Sequence, residues 1–199
     1  MRRRVVLALA ALAAAMLIAA AAGTASASRL SVSERSFRVV WRPFTFIYGF
    51  EEIRRVECNI TLEGSFSSST FAKTRGRIGS VQRASFASCA VTPLAETLPW
   101  GIQYERFSGP LPNIWTVTIG FTGVRLLVNE LGCLASSETA TPWTFNIRLE
   151  AGVITGIAAD ETNLGMPLTG LCEARNLRYQ GLGAFTPPGG TGRVSLSLI

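Results

Sequence analysis

The sequence predicts an all-β domain of about ten mainly antiparallel strands, built as a two-layer sandwich or a closed barrel and tied by two disulfides. Three observations carry that prediction. Segment after segment alternates apolar and polar residues, as a half-buried strand requires. No stretch beyond the first 27 residues holds a 3.6-residue apolar period over three turns. Four cysteines occur in a chain without a single histidine.

The clearest strand runs from Arg55 to Phe66: Val56, Cys58, Ile60, Leu62 and Phe66 share one parity, and Arg55, Glu57, Asn59, Thr61, Glu63 and Ser65 take the other. A helix would scatter these residues around its axis, whereas a strand gives them one dry and one wet face.

The chain begins with Arg2, Arg3 and Arg4, a run of apolar residues from Val5 to Ala22, and Ala25-Ser26-Ala27. A basic start, an apolar core and an A-x-A site make residues 1–27 a secretory signal peptide cut after Ala27, leaving 28–199 as one domain. Cleavage removes three of the nineteen cations, so net charge falls from +6 to +3. The remaining charge calls for no nucleic-acid partner, and no stable membrane anchor survives the cut. Frequent arginine and alanine with one lysine, Lys73, and one aspartate, Asp160, suggest a bacterial source.

In order, Ser28 to Glu34 reads as a loose terminus. Phe37, Val39 and Trp41 alternate up to Pro43, and Phe44, Phe46, Tyr48 and Phe50 resume on the opposite parity, marking a bend or bulge. Those four aromatics make either core or the wall of an apolar-ligand site. Lys73, Arg75 and Arg77 would share one face if their segment is a strand, as a solvated edge or an anion-binding strip. The spacing of Ile78, Val81 and Phe86 admits a short helix. Leu98 to Tyr104 and Trp115 to Phe121 alternate cleanly; after Thr122-Gly123 the parity switches to Val124, Leu126 and Val128, a bulge or tight turn. Leu131 to Thr141 reads as loop. Trp143 to Glu150 and Val153 to Ala159 make a hairpin about Ala151-Gly152. A strand follows Cys172 through Tyr179, Gly181 to Gly192 reads as a long turn, and Val194, Leu196 and Leu198 close the chain.

In an exported chain Cys58, Cys89, Cys133 and Cys172 read as disulfides, paired Cys58–Cys89 and Cys133–Cys172 so that each closes a loop within one half of the chain; crossed and nested pairings remain open. Without histidine or a C-x-x-C spacing, no metal or other cofactor is expected. The usual general base and the usual triad are missing too. A hydrolase would have to draw two carboxylates from Glu51, Glu52, Glu57, Glu63, Glu105, Asp160 and Glu161, and nothing in their spacing pairs them. Catalytic residues are therefore not assigned.

Trp41-Arg42-Pro43-Phe44-Thr45-Phe46, the run from Cys58 to Phe66, Glu96-Thr97-Leu98-Pro99-Trp100 and Asp160-Glu161-Thr162 resemble segments of a group of short exported bacterial proteins. No activity is described for that group, so the resemblance implies export and cysteine content and no site. The expectation is a secreted or periplasmic binding or structural module of the cell envelope or extracellular space. Its expected partner is an envelope component or an apolar ligand; a barrel carrier of a small apolar ligand and a carboxylate hydrolase are the alternatives.

Overall fold

A computed structural model describes residues 29–49, 54–111, 113–128, 132–159, 166–171 and 176–199, among which there are fifteen strands and no helix. Eight of the strands follow one another around a closed antiparallel barrel. They are β2 (Ser36–Tyr48), β3 (Arg54–Phe66), β5 (Gly76–Ala87), β7 (Trp100–Ser108), β8 (Thr116–Thr122), β11 (Trp143–Glu150), β12 (Val153–Ala159) and β14 (Asn176–Thr186). Each pairs with the next, β14 returns to β2, and β12 pairs with β14 at Ile157↔Gly183, Ala158↔Leu182 and Ala159↔Gly181 to shut the cylinder. Between sandwich and barrel, the chain makes a barrel.

The seven remaining strands are three to five residues long; β1 precedes and β15 follows the barrel strands, and the other five lie in the connections. At the end where β2 stops and β3 starts, β6 (Leu94–Glu96), β9 (Arg125–Val128), β10 (Cys133–Ser136) and β13 (Met166–Gly170) form a flap, ordered β13-β10-β9-β6 and joined to β14 at Met166↔Leu177. At the other end β1 (Arg29–Val32), β4 (Thr70–Ala72) and β15 (Leu196–Leu198) form a separate sheet, ordered β15-β1-β4.

Eight strands leave a lumen that side chains can just fill, and aromatic rings fill this one. Trp41, Phe44, Trp100, Phe121, Trp143 and Phe145 are fully buried. Trp143 alone has six aromatic neighbours with ring centroids 4.8–6.5 Å away, from Phe145 to Phe46. The indole N–H groups of Trp41 and Trp143 have no hydrogen-bond partner in this apolar interior. Outward rows carry Arg38, Glu63 and Arg83 across β2, β3 and β5, the reverse of a lipid-facing barrel, whose apolar side points out.

The Tyr179 hydroxyl accepts a hydrogen bond from the Thr144 amide at 3.0 Å. Burial raises its pKa above the ordinary 10.0, with the Thr144 hydrogen bonds opposing the shift. The unfolded chain therefore loses this proton first. Stability from this group is complete below about pH 10 and declines as pH rises towards the folded value. Urea unfolding of wild type and Tyr179→Phe between about pH 8 and pH 11 should show a shallower alkaline decline in the variant, though Tyr104, also raised by burial, will keep part of it. An unchanged slope would exclude Tyr179 as its source.

Several expectations are corrected. Arg29–Val32 is a strand rather than a loose terminus, because Leu30 and Val32 bury between β4 and β15. Residues 76–87 are strand, not helix; register shifts at Glu63/Gly64 and Arg77/Gly79 interrupt their alternation. Lys73, Arg75 and Arg77 do not form a strip. Lys73 lies over the Phe107 ring, Arg75 pairs with Glu105 at 2.9 Å, and Arg77 donates to the Gly79 carbonyl. Cys133–Ser136 is strand within the expected loop. The turn placed at Gly181 starts six residues later, at Pro187, because the glycines serve packing: a Cβ on Gly183 would lie 2.8 Å from the Trp41 indole. The bend after Trp41 is a register shift between Trp41 and Phe44 containing a cis Arg42–Pro43 bond.

Of the two disulfides expected, the structure describes one, Cys58–Cys89. The pairing of Cys133 with Cys172 lies outside the described residues at Cys172, and no described cysteine is a free thiol. The signal-peptide segment, Phe50, Glu51, Glu52, Asp160 and Glu161 also lie outside them.

Candidate binding cleft

The alternation of β2 sends Phe46 and Tyr48 to the inner face at the flap end, and β3 places Val56 opposite Phe46. The flap supplies the facing surface. Its register aligns Leu126, Ala135 and Leu168 across β9, β10 and β13, with Val128 opposite Cys133 in the next row. Between these two surfaces lies a cleft closed laterally by Val91, Pro93 and Leu177. Its non-atom space measures about 490 Å³ out to the open mouth, with a cavity volume of about 40 Å³. Apart from the Tyr48 phenol every lining side chain is apolar or a cysteine.

Three devices hold the flap over the barrel. The Cys58–Cys89 bond, Cα atoms 4.4 Å apart, joins β3 to the second residue after β5, from which the Val91–Pro93 wall departs. Ser137, buried, donates through Oγ to the Phe121 carbonyl at 2.9 Å and accepts from the Val124 amide at 3.1 Å. Thr97 donates through Oγ1 to the Gly123 carbonyl at 2.7 Å, and the Trp100 indole donates to the Glu96 carbonyl at 2.9 Å. The Glu96–Arg125 pair across β6 and β9 is half exposed, so it contributes at most about 1 kcal/mol.

The four aromatics proposed as a ligand wall separate by depth. Phe44 is fully buried beneath the cleft, its ring 5.0–6.2 Å from those of Trp41, Phe46, Trp143, Phe145 and Tyr179. Phe46 is both the cleft floor and the cap on Trp143. Tyr48 lies at the cleft alone, and Phe50 falls outside the described residues. The flap residues Leu126, Val128, Ala135 and Leu168, with Val91 and Pro93, were not among the expected site residues. The alternation of Val124, Leu126 and Val128 marks a strand, but the partner of its apolar face depends on a pairing between distant segments.

Of the carboxylates considered for catalysis, Glu63 pairs with Arg83 at 3.4 Å and Arg38 at 3.8 Å. Glu105 pairs with Arg75 and accepts a hydrogen bond from Gln103 at 2.7 Å. Glu57 is exposed, and none of the three lines the cleft. Among the described residues no group of three or more His, Cys, Asp or Glu side chains could hold a metal ion. The cleft can exclude water from an apolar group; among its described lining residues Tyr48 alone carries a side chain able to exchange a proton.

No family model matches the chain, and the curated proteins and solved structures gave no match either. The disulfide fits an oxidising compartment, and no helix among the described residues is long and apolar enough to cross a membrane.

Proposed function

We propose that the protein is an exported, non-catalytic binding module of the bacterial cell envelope or extracellular space, and that its flap cleft takes an apolar anchor group from a partner. The observation that carries this reading is the cleft lining: a concave, apolar surface of aliphatic side chains, Phe46, the Tyr48 ring and Cys133, over a solid aromatic barrel. The 1–27 leader pattern, the disulfide and the resemblance to exported bacterial proteins support export. A cavity of about 40 Å³ suits a methyl-bearing group or a chain end; drug-sized ligands occupy pockets of roughly 300–1,000 Å³. Size therefore favours an anchor over a carrier's whole ligand.

A series of straight-chain alcohols, measured by calorimetry, separates the two. An anchor site gains about 0.8 kcal/mol per methylene over the first few carbons and then levels off, whereas a carrier keeps gaining. Leu168→Asp, which places a carboxylate on the flap side, should weaken binding at least about tenfold in either case. Absence of binding throughout the series, or indifference to Leu168→Asp, would sink the proposal.

A further inference from the structure

The opposite end of the barrel carries a second feature, independent of the cleft. In the β15-β1-β4 sheet, β15 is an edge strand. Arg29 and Ile199 exchange both backbone hydrogen bonds, at 3.1 and 3.0 Å, and the Ser33 amide donates to the Ser195 carbonyl at 3.0 Å. Antiparallel alternation then turns the backbone groups of Leu196 and Leu198 away from β1. The Leu196 amide is satisfied there by the Gly152 carbonyl at 2.8 Å. One step on, at Leu198, the ladder has no further strand among the described residues.

A groove opens at that step. Leu196, Ser197 and Leu198 form one wall, the hairpin tip Leu149–Gly152 the floor, and Asn113, Ile114 and Trp115 the far wall, enclosing about 580 Å³. Trp115 is 62 % exposed, while Trp41, Trp100 and Trp143 are completely buried. Leu111 and Ile199 nearby in sequence to the walls are 55 % exposed each. Glu150 is the sole ionisable side chain among the described lining residues.

We propose that this groove binds an extended peptide segment of a partner protein, added as a strand beside Leu198. The open main-chain edge calls for a partner with its own backbone N–H and C=O, which a lipid surface lacks. Affinity would come from that pairing and selectivity from alternate side chains. Trp115 provides the large, partly desolvated ring typical of interface anchors. The acidic Glu150 asks for a lysine or arginine in the peptide, and it disfavours an anionic membrane.

The test is selection of a displayed random-peptide library on the full-length protein and on its Leu198→Pro variant. Proline removes an N–H that no described strand uses, together with the part-buried Leu198 side chain that packs on the core, so the variant should keep the wild-type circular dichroism with a small drop in urea midpoint that Leu198→Ala reproduces. Peptides with alternating apolar residues and a fixed Lys or Arg should be enriched on wild type only. A synthetic copy should bind at least about tenfold more weakly to Leu198→Pro and Trp115→Ala. It should also shift Trp115 emission to the blue and protect the Leu198 amide from hydrogen exchange. Equal enrichment on both proteins, or none, overturns the proposal. So does association with anionic phosphatidylglycerol vesicles without peptide binding, or Leu198 protection that appears only through self-association. Alcohol binding in the flap cleft, at the other end of the barrel, should be unchanged by Leu198→Pro, so the two sites fail separately.

Discussion

Phe44→Ala should lower the unfolding free energy by about 3–5 kcal/mol, the usual cost of deleting a buried phenyl ring. The expected size follows from the neighbours: Phe44 is fully buried and touches five rings from β2, β11 and β14. Those rings belong to a closed cylinder, so the lumen cannot collapse to refill the space, and the cavity term adds to the lost transfer energy. Domains are stable by roughly 5–15 kcal/mol, so the variant should sit near its folding limit. Tyr48→Ala removes a comparable ring from the cleft, where it is only partly buried, and should cost clearly less. Urea titrations of both variants measure the contrast. A loss below about 1 kcal/mol for Phe44→Ala would mean that the lumen is not the solid core described. The ligand-wall reading of Phe44 would then regain its ground.

The contrast also separates what was legible in the sequence from what was not. Period-2 alternation is a local property, so β2, β3, β7, β8, β11 and β12 could be read residue by residue, including the parity break at Pro43 and the Ala151-Gly152 turn. The Cys58–Cys89 pair was read as one that closes a loop within one half of the chain, a criterion that left crossed and nested pairings open. Barrel closure was not, because it rests on three residue pairs between β12 and β14 that no local pattern encodes. Gly181 and Gly183 even argued against a strand there, although Gly183 is small to admit the Trp41 indole. The cleft was half legible for a similar reason. Phe46 and Tyr48 belong to a conspicuous aromatic run, but Leu126, Ala135 and Leu168 come from four- and five-residue strands whose common face exists only after assembly.

The largest effect expected at the cleft comes from the disulfide. Cys58→Ala combined with Cys89→Ala removes a cross-link spanning 31 residues. Chain-entropy reasoning assigns such a loop about 3–4 kcal/mol. The double alanine variant is preferable to a reductant, which would also reach Cys133, another cysteine that is not a free thiol. The position of the bond gives the loss a direction. The β3–β5 ladder ends at Asn59↔Ala87, and Cys89 lies beyond it, where the chain turns towards Val91 and Pro93. Without the bond, that wall is held by the short β6–β9 pairing and the Thr97 and Trp100 hydrogen bonds. Two changes should therefore appear together: a lower urea midpoint, and alcohol binding in the cleft weakened by about tenfold or more as the wall loosens. Hydrogen exchange should locate the loss of protection at Ala87 to Glu96, with the β11–β12 hairpin unaffected below the unfolding transition. If stability falls while alcohol affinity stays at the wild-type value, the disulfide serves the barrel alone. The wall of the cleft would then be set by the flap's own packing, and the anchor-binding reading would have to rest on Leu126, Ala135 and Leu168 without it.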